Sequence, residues 1–191
     1  MSEYDDEQIL WKESGQTETV WKEFIFEIDH VHRVSPEGKE HPFVVCRTPD
    51  WVTVVPELEE GDNSDFLMVR QFRHGSGALS MEFPAGVVDP GEEPLHAAVR
   101  ELREETGYTA EELILIGKIN PNPAFMCNTS WTYLARGLKK TESLDLDEQE
   151  FITAHKIAKS VIDREMGVRE YNNAIMVQSW YWYKRFTDNE S

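Results

Sequence analysis

The chain has 191 residues, 36 of them Asp or Glu and 19 Lys or Arg, for a formal net charge of −17. Its hydrophobic share of 40% and aromatic share of 11% suit one packed domain with a small appendage and exceed what a disordered chain carries. The charge opposes nucleic acid and anionic membranes as partners, and no apolar run approaches the roughly 20 residues that span a bilayer.

Met1 to Gln8 is acidic and lacks an apolar stretch, so no secretory leader is expected. Two cysteines, Cys46 and Cys127, are too few for a disulfide framework, and a cytoplasmic setting is the simplest reading. A small anionic substrate stays compatible with the charge, because bound cations reverse its local sign.

Val20 to Val34 alternates apolar and polar residues with period two and reads as one strand. Ser35-Pro36-Glu37-Gly38-Lys39 is a turn, and His41 to Arg47 returns as the second arm of an antiparallel hairpin. Thr48-Pro49-Asp50 then breaks the pattern. Trp51–Val55 and Phe66–Phe72 are further strands, separated by a polar loop. A helix is predicted over Glu93 to Thr106, with Pro94 in its first turn and Gly107 as its C-terminal cap. Leu113–Ile119, Trp131–Ala135 and Phe151–Ile157 read as strands, and about Asn172 to Phe186 as a closing helix. The expected organisation is an N-terminal antiparallel sheet over residues 1–49 and a mixed α/β domain over 50–191.

The predicted helix carries the chemistry. Leu95, Ala98, Val99 and Leu102 share one arc. Glu101, Glu104 and Glu105 share another, at spacings i, i+3 and i+4. Three carboxylates on one face repel one another, so helix stability alone does not favour them. A solvated acidic face is one reading. A hard cation such as Mg²⁺ or Mn²⁺ bound by oxygen ligands is the other. Ala97 lies on the acidic arc one turn earlier and is expected to leave space for a ligand. Arg100, four residues before Glu104, can orient a carboxylate by a charged hydrogen bond.

The surrounding residues decide between the two. Gly86, five residues, Glu92, seven residues, then Arg100-Glu101-Leu102-Arg103-Glu104-Glu105-Thr106-Gly107-Tyr108 resembles the Nudix hydrolase box at every fixed position. The resemblance implies an α/β/α sandwich around a mixed sheet and hydrolysis of a nucleoside diphosphate linked to another group. By motif position it implies two or three Mg²⁺ ions, with Mn²⁺ as a substitute. Glu101 and Glu105 would be chief ligands, Glu104 a bridging one, and the Ala85 carbonyl and Glu92 further ligands. Arg100 would hold the carboxylates, and Gly86 and Gly107 would serve backbone shape.

Outside the box, Arg70-Gln71-Phe72-Arg73 and Glu82-Phe83-Pro84-Ala85-Gly86 resemble the ADP-ribose pyrophosphatase and nucleotide-sugar hydrolase branch. Pro123, 15 residues after Tyr108, resembles that branch's downstream proline. Arg73 at a strand end is a candidate clamp for a pyrophosphate oxygen. Arg70 points to the opposite sheet face and is either a surface arginine or a binding one. Glu82 either contacts substrate and a metal-bound water or forms a structural ion pair. Glu148, with Glu150 next, matches the branch's loop-borne catalytic base, against the alternative of a solvated acidic loop.

The branch further implies a homodimer through exchanged N-terminal strands, and a small nucleotide-sugar substrate, with no nucleic acid and no membrane as partner. Alternatives are another nucleotide sugar such as GDP-mannose, a modified nucleotide, or nucleotide sensing without turnover. Trp21, Trp51 and Phe26 can stack on a base but suit packing better, and Trp180 to Tyr183 suit a packed helix. His30 and His32 share a strand face without a third ligand, and neither cysteine has a base partner that would make it a nucleophile.

Overall fold

The computed structural model describes residues 6–59, 64–141 and 151–190, which divide into two compact units. The first comprises the N-terminal residues through Pro49 together with 120–128. Its three strands, β1 (Lys12–Glu23), β2 (Phe26–Val34) and β3 (Glu40–Arg47), form an antiparallel sheet in the order β1-β2-β3.

The single strand expected from Val20 to Val34 is therefore two. The chain reverses at Phe24 and Ile25, pairing Glu23 with Phe26 and Lys22 with Glu27. Phe24 takes a left-handed conformation, φ 46, with its side chain 94% exposed. A turn of two residues swaps the faces of odd and even positions, since Glu23 shares a face with Phe26, but the sequence shows no break there: Phe24, Ile25 and Phe26 are all apolar, with none of the Gly, Asn or Asp that usually mark a hairpin. Periodicity could not detect it. The first strand arm escaped notice because Lys12 to Thr19 is almost wholly polar.

Residues 120–128 join this unit although they fall inside the span expected for the second domain. The Cys46 N–H donates to the Phe125 carbonyl at 2.7 Å, and Asn128 Nδ2 donates to the Pro49 carbonyl at 3.2 Å. The sheet buries little apolar surface. One of its buried groups is the Asp29 carboxylate, which pairs with Arg47 and accepts from Thr19 Oγ1 at 2.8 Å.

The second unit is the α/β sandwich. Strand β4 (Trp51–Pro56) runs parallel to β10 (Ser130–Arg136). On their outer sides lie β7 (Ala85–Val87) and β9 (Glu112–Ile119), both antiparallel, giving the order β7-β4-β10-β9. An antiparallel sheet of β12 (Thr153–Ala158), β5 (Asp65–Arg73) and β6 (Ala78–Glu82) follows the same order in which those names stand here. A short pair, β8 (Tyr108–Thr109) with β11 (Lys139–Lys140), completes the strands described. The helices are α1 (Pro94–Thr106), α2 (Lys159–Glu165) and α3 (Ala174–Glu190), with a 3-10 turn at Arg169–Tyr171.

Alternation along β4 sorts the core into two layers. Val52 and Val54 pack with Ala97, Ala98 and Leu102 of α1. Val55 packs with Phe66, Phe83 and the α3 residues Met176, Trp180 and Tyr183. Trp180 and Tyr183 stack at 4.8 Å between centroids, and Phe66 meets both edge-on. Of the aromatic run of α3, Trp180 and Tyr183 are thus core in this unit, while Tyr181 between them is 56% exposed.

Helix α1 starts at Pro94 and ends on Gly107, whose φ of 71 is the left-handed cap a glycine adopts without cost. Its rotation differs from the apolar arc read in the sequence. Leu95 and Val99 are 42% and 43% exposed, while the buried face is Ala97, Ala98, Glu101, Leu102, Glu105 and Thr106. Ala97 is therefore core packing and not ligand space. Two glutamates face inward because polar partners await them there, and a hydrophobic count has no term for such partners.

Candidate active site

The site forms where α1 crosses β7. Glu105 Oε2 accepts the Ala85 backbone N–H at 2.9 Å, which ties the helix to the strand. One residue on, a Cβ at Gly86 would lie within 2.6 Å of the carboxyl carbon and both oxygens of Glu101. Only glycine lets that carboxylate lie against the strand. Glycine is required here for close approach, since the Gly86 backbone is not in the left-handed region.

Arg100 is the hub. Its Nη1 donates to Glu101 Oε1 at 2.6 Å and to Glu104 Oε2 at 3.3 Å. Its Nε and Nη2 hold Glu92 at 3.2 and 3.0 Å, and Nη2 also donates to the Val87 carbonyl at 3.0 Å. One guanidinium thus gathers three box carboxylates and the strand backbone, using the fork geometry a lysine lacks. The hydrogen bonds to Glu92, with the charge of Glu101, push the Arg100 pKa up despite its burial. The same pair holds the Glu92 carboxyl below the usual carboxylate range.

As the side chains stand, no group of three or more His, Cys, Asp or Glu among the described residues converges on a single point. The carboxylates converge on Arg100 instead. The donor set nevertheless fits a hard divalent cation. It is all oxygen, it is anionic, and Gly86 lets the Glu101 carboxylate lie against the strand.

A second pair of groups lies on β5 and β6. Arg73 forms a two-pronged ion pair with Glu82, at 2.9 Å from Nε and 2.5 Å from Nη2. Glu82 is fully buried, 0% exposed. Burial pushes its pKa up, but hydrogen bonds and charge from Arg73, with Ser80 and Asn173, outweigh it and hold the carboxyl low. Arg70, on the other face of the strand, makes an equally two-pronged pair with Glu170 at 2.8 and 2.8 Å.

A NUDIX domain matches residues 47–166. The chain belongs to the Nudix hydrolases. It is 37% identical over 150 residues to an ADP-ribose pyrophosphatase of Bacillus subtilis (strain 168), a match covering 75% of this chain and 80% of that one. It is 35% identical over 118 residues to a methanol dehydrogenase activator of Bacillus methanolicus, covering 61% and 62%. The crystal structure of an ADP compounds hydrolase superposes with a TM-score of 0.79 at 22% identity, covering 93% and 94% of the two chains, which is a likeness of fold.

In this Nudix hydrolase the structure brings Ala85, Gly86, Glu92, Arg100, Glu101, Glu104 and Glu105 together, and Gly107 caps their helix. Arg73 and Glu82, expected as separate substrate contacts, are one ion pair. Arg70 has a partner that the sequence did not single out, Glu170, 100 positions away. Glu148 and Glu150 lie outside the described residues. Asn173 also escaped the sequence reading. Its Oδ1 accepts the Ile175 N–H at 2.9 Å, capping α3, while its side chain bonds Glu82. An Asn immediately before an apolar helix is an N-cap signal that could have found it.

Proposed function

We propose that this Nudix hydrolase cleaves the pyrophosphate bond of ADP-ribose or a closely related nucleoside diphosphate sugar, releasing a nucleoside monophosphate and a sugar phosphate. The observation that carries the reading is the Arg100 hub, which presents Glu92, Glu101 and Glu104 beside the Ala85–Gly86 backbone. The choice of ADP-ribose is supported by the likeness to the Bacillus subtilis enzyme over most of both chains.

Nudix hydrolases in general need a divalent metal. Here Mg²⁺, or Mn²⁺ in its place, would be held by Glu101, Glu104 and Glu105, with the Ala85 carbonyl and Glu92 as further ligands, two or three ions in all. When bound it neutralises pyrophosphate charge and acidifies water. The protein's own part is preorganisation. Arg100 fixes the carboxylates, so they need not be gathered against their mutual repulsion when substrate arrives. Arg73 keeps a half-exposed guanidinium at the end of β5, anchored by Glu82, where it meets a phosphoryl oxygen. Glu148, or Glu150, accepts the proton of the attacking water.

Residues 1–49, joined by 120–128, form a dimerising unit, and the rest of 50–191 the hydrolase domain. Trp21, Phe26 and Val44 are exposed on one face of the N-terminal sheet, with Phe24 exposed at the turn beside them, an apolar surface that a second copy would cover.

The test is turnover of ADP-ribose, GDP-mannose, UDP-glucose and NADH by the purified protein, with Mg²⁺ and with EDTA, products being resolved by chromatography. Metal-dependent release of AMP and ribose phosphate, abolished by Glu105→Gln, is the expected result. Preference for another nucleotide sugar moves the substrate and keeps the mechanism. Tight nucleotide binding with no turnover of any of them overturns the hydrolase reading.

A further inference from the structure

We propose that Cys46 and Cys127 form a reversible oxidation site, whose disulfide fastens residues 120–128 to the end of β3. The backbones are already paired there. The Cys46 N–H donates to the Phe125 carbonyl at 2.7 Å, and Cys46 forms an isolated parallel bridge with Met126. Cys127, the next residue, brings its Sγ to 3.7 Å from the Cys46 carbonyl oxygen.

A disulfide needs Cα atoms about 4.4–6.8 Å apart. Bridged strands lie about 4.8 Å apart, and consecutive Cα atoms about 3.8 Å. A residue one step beyond a bridged partner therefore sits about 6 Å away, inside that range; its Cβ faces the other side of the bridge, so closing the S–S bond also turns the backbone at 126–127.

Both thiols are free, and their environments differ in the way a two-step oxidation needs. Cys127 is exposed and Cys46 half-buried. Burial, and then the neighbouring Cys127, push the Cys46 thiol up, which suits it to the second step and not the first. The exposed thiol is the one that a peroxide reaches first.

The oxidant is a hydroperoxide. Cys127 sulfur attacks one peroxide oxygen, the O–O bond breaks, and the sulfur is left as sulfenic acid while the other oxygen departs as water. Sulfur has lost two electrons and the peroxide has gained them. Cys46 sulfur then displaces hydroxide from the sulfenic sulfur, forming the S–S bond. That hydroxide leaves as water with the Cys46 proton. A dithiol restores both thiols by exchange.

The experiment treats the reduced full chain with hydrogen peroxide, alkylates remaining thiols, and maps peptides without reduction. The expected result is a cross-linked peptide joining Cys46 to Cys127, an intact mass lower by two hydrogens, loss of both alkylatable thiols, and full recovery with dithiothreitol. In Cys46→Ser, oxidation should stop at sulfenic acid on Cys127, captured by dimedone. Both thiols remaining alkylatable, or a disulfide between two chains in place of the internal one, overturns the proposal. The wild-type map needs no variant to fold, and nothing in it rests on the substrate.

Discussion

Replacing Gly86 with alanine tests the site at its tightest point. The backbone there is not left-handed, so the change carries no conformational penalty and would by itself stabilise the fold by about 0.4–1 kcal/mol through the unfolded chain. The added Cβ, however, lies within 2.6 Å of every atom of the Glu101 carboxyl group. Ordinary contact begins at 3.4 Å and the nearest carboxylate oxygen would be 2.0 Å away, so the carboxylate must retreat by roughly 1.4 Å. Glu101 is buried and tied to Arg100 at 2.6 Å, so it retreats only by straining that hub.

Overpacking of this kind costs about 1–3 kcal/mol. The net loss is therefore between zero and about 2.6 kcal/mol, or a fall in Tm of up to about 10 °C for a chain of this size. The activity loss should be larger, about 100-fold in kcat/KM for a displacement near 1 Å, with the metal requirement moved to higher concentration. Gly75→Ala is the control, because nothing lies within 4 Å of its Cβ. Hydrolysis of ADP-ribose across a Mg²⁺ titration, paired with thermal unfolding, measures both effects. A Gly86→Ala protein with wild-type kcat/KM and metal dependence would refute the reasoning.

Arg100→Lys keeps the charge and loses the fork, so kcat/KM should fall at least about tenfold with little loss of fold; a KM-against-kcat comparison checks it. Arg73→Ala strands the buried Glu82 carboxylate and should cost about 3 kcal/mol at neutral pH, the low end for a broken buried pair because Arg73 is 42% exposed. The pH dependence has a defined sign. In the wild type the Glu82 pKa is lowered, so the pair's contribution is present above the unfolded carboxylate pKa and is lost as pH falls through the folded one. In Arg73→Ala that acid-side loss should shrink or reverse, which denaturant melts between pH 3 and pH 7, about the carboxylate range and above, would register. For the proposed dimer, light scattering should find two copies in the wild type and one in Phe24→Asp combined with Phe26→Asp, with α1 and its partners untouched.

Much of the site could be read from spacing. The helix bounds at Pro94 and Gly107, the box carboxylates and the place of Arg100 all follow from local rules, and the structure realises them. What could not be read shares one cause. Glu101 and Glu105 turn inward because an arginine, a backbone N–H and a bare glycine meet them there, so the helix rotates away from its apolar arc and leaves Leu95 and Val99 in solvent. The turn at Phe24 lies in an unbroken apolar run, Phe24-Ile25-Phe26, without a glycine, asparagine or aspartate to mark it. Arg70 meets Glu170 across 100 residues, and Asn173 reaches Glu82 from the far end of the chain.

By itself, then, the sequence determined the catalytic helix, its cap, its carboxylate spacing and the family to which these belong, because each depends on residues within a few turns of one another. The tertiary structure alone decided which carboxylates are buried, which arginine each one meets, and that residues 120–128 pair with β3. Those outcomes depend on partners that only folding brings within hydrogen-bonding distance, and a buried charge is tolerated only where such a partner arrives.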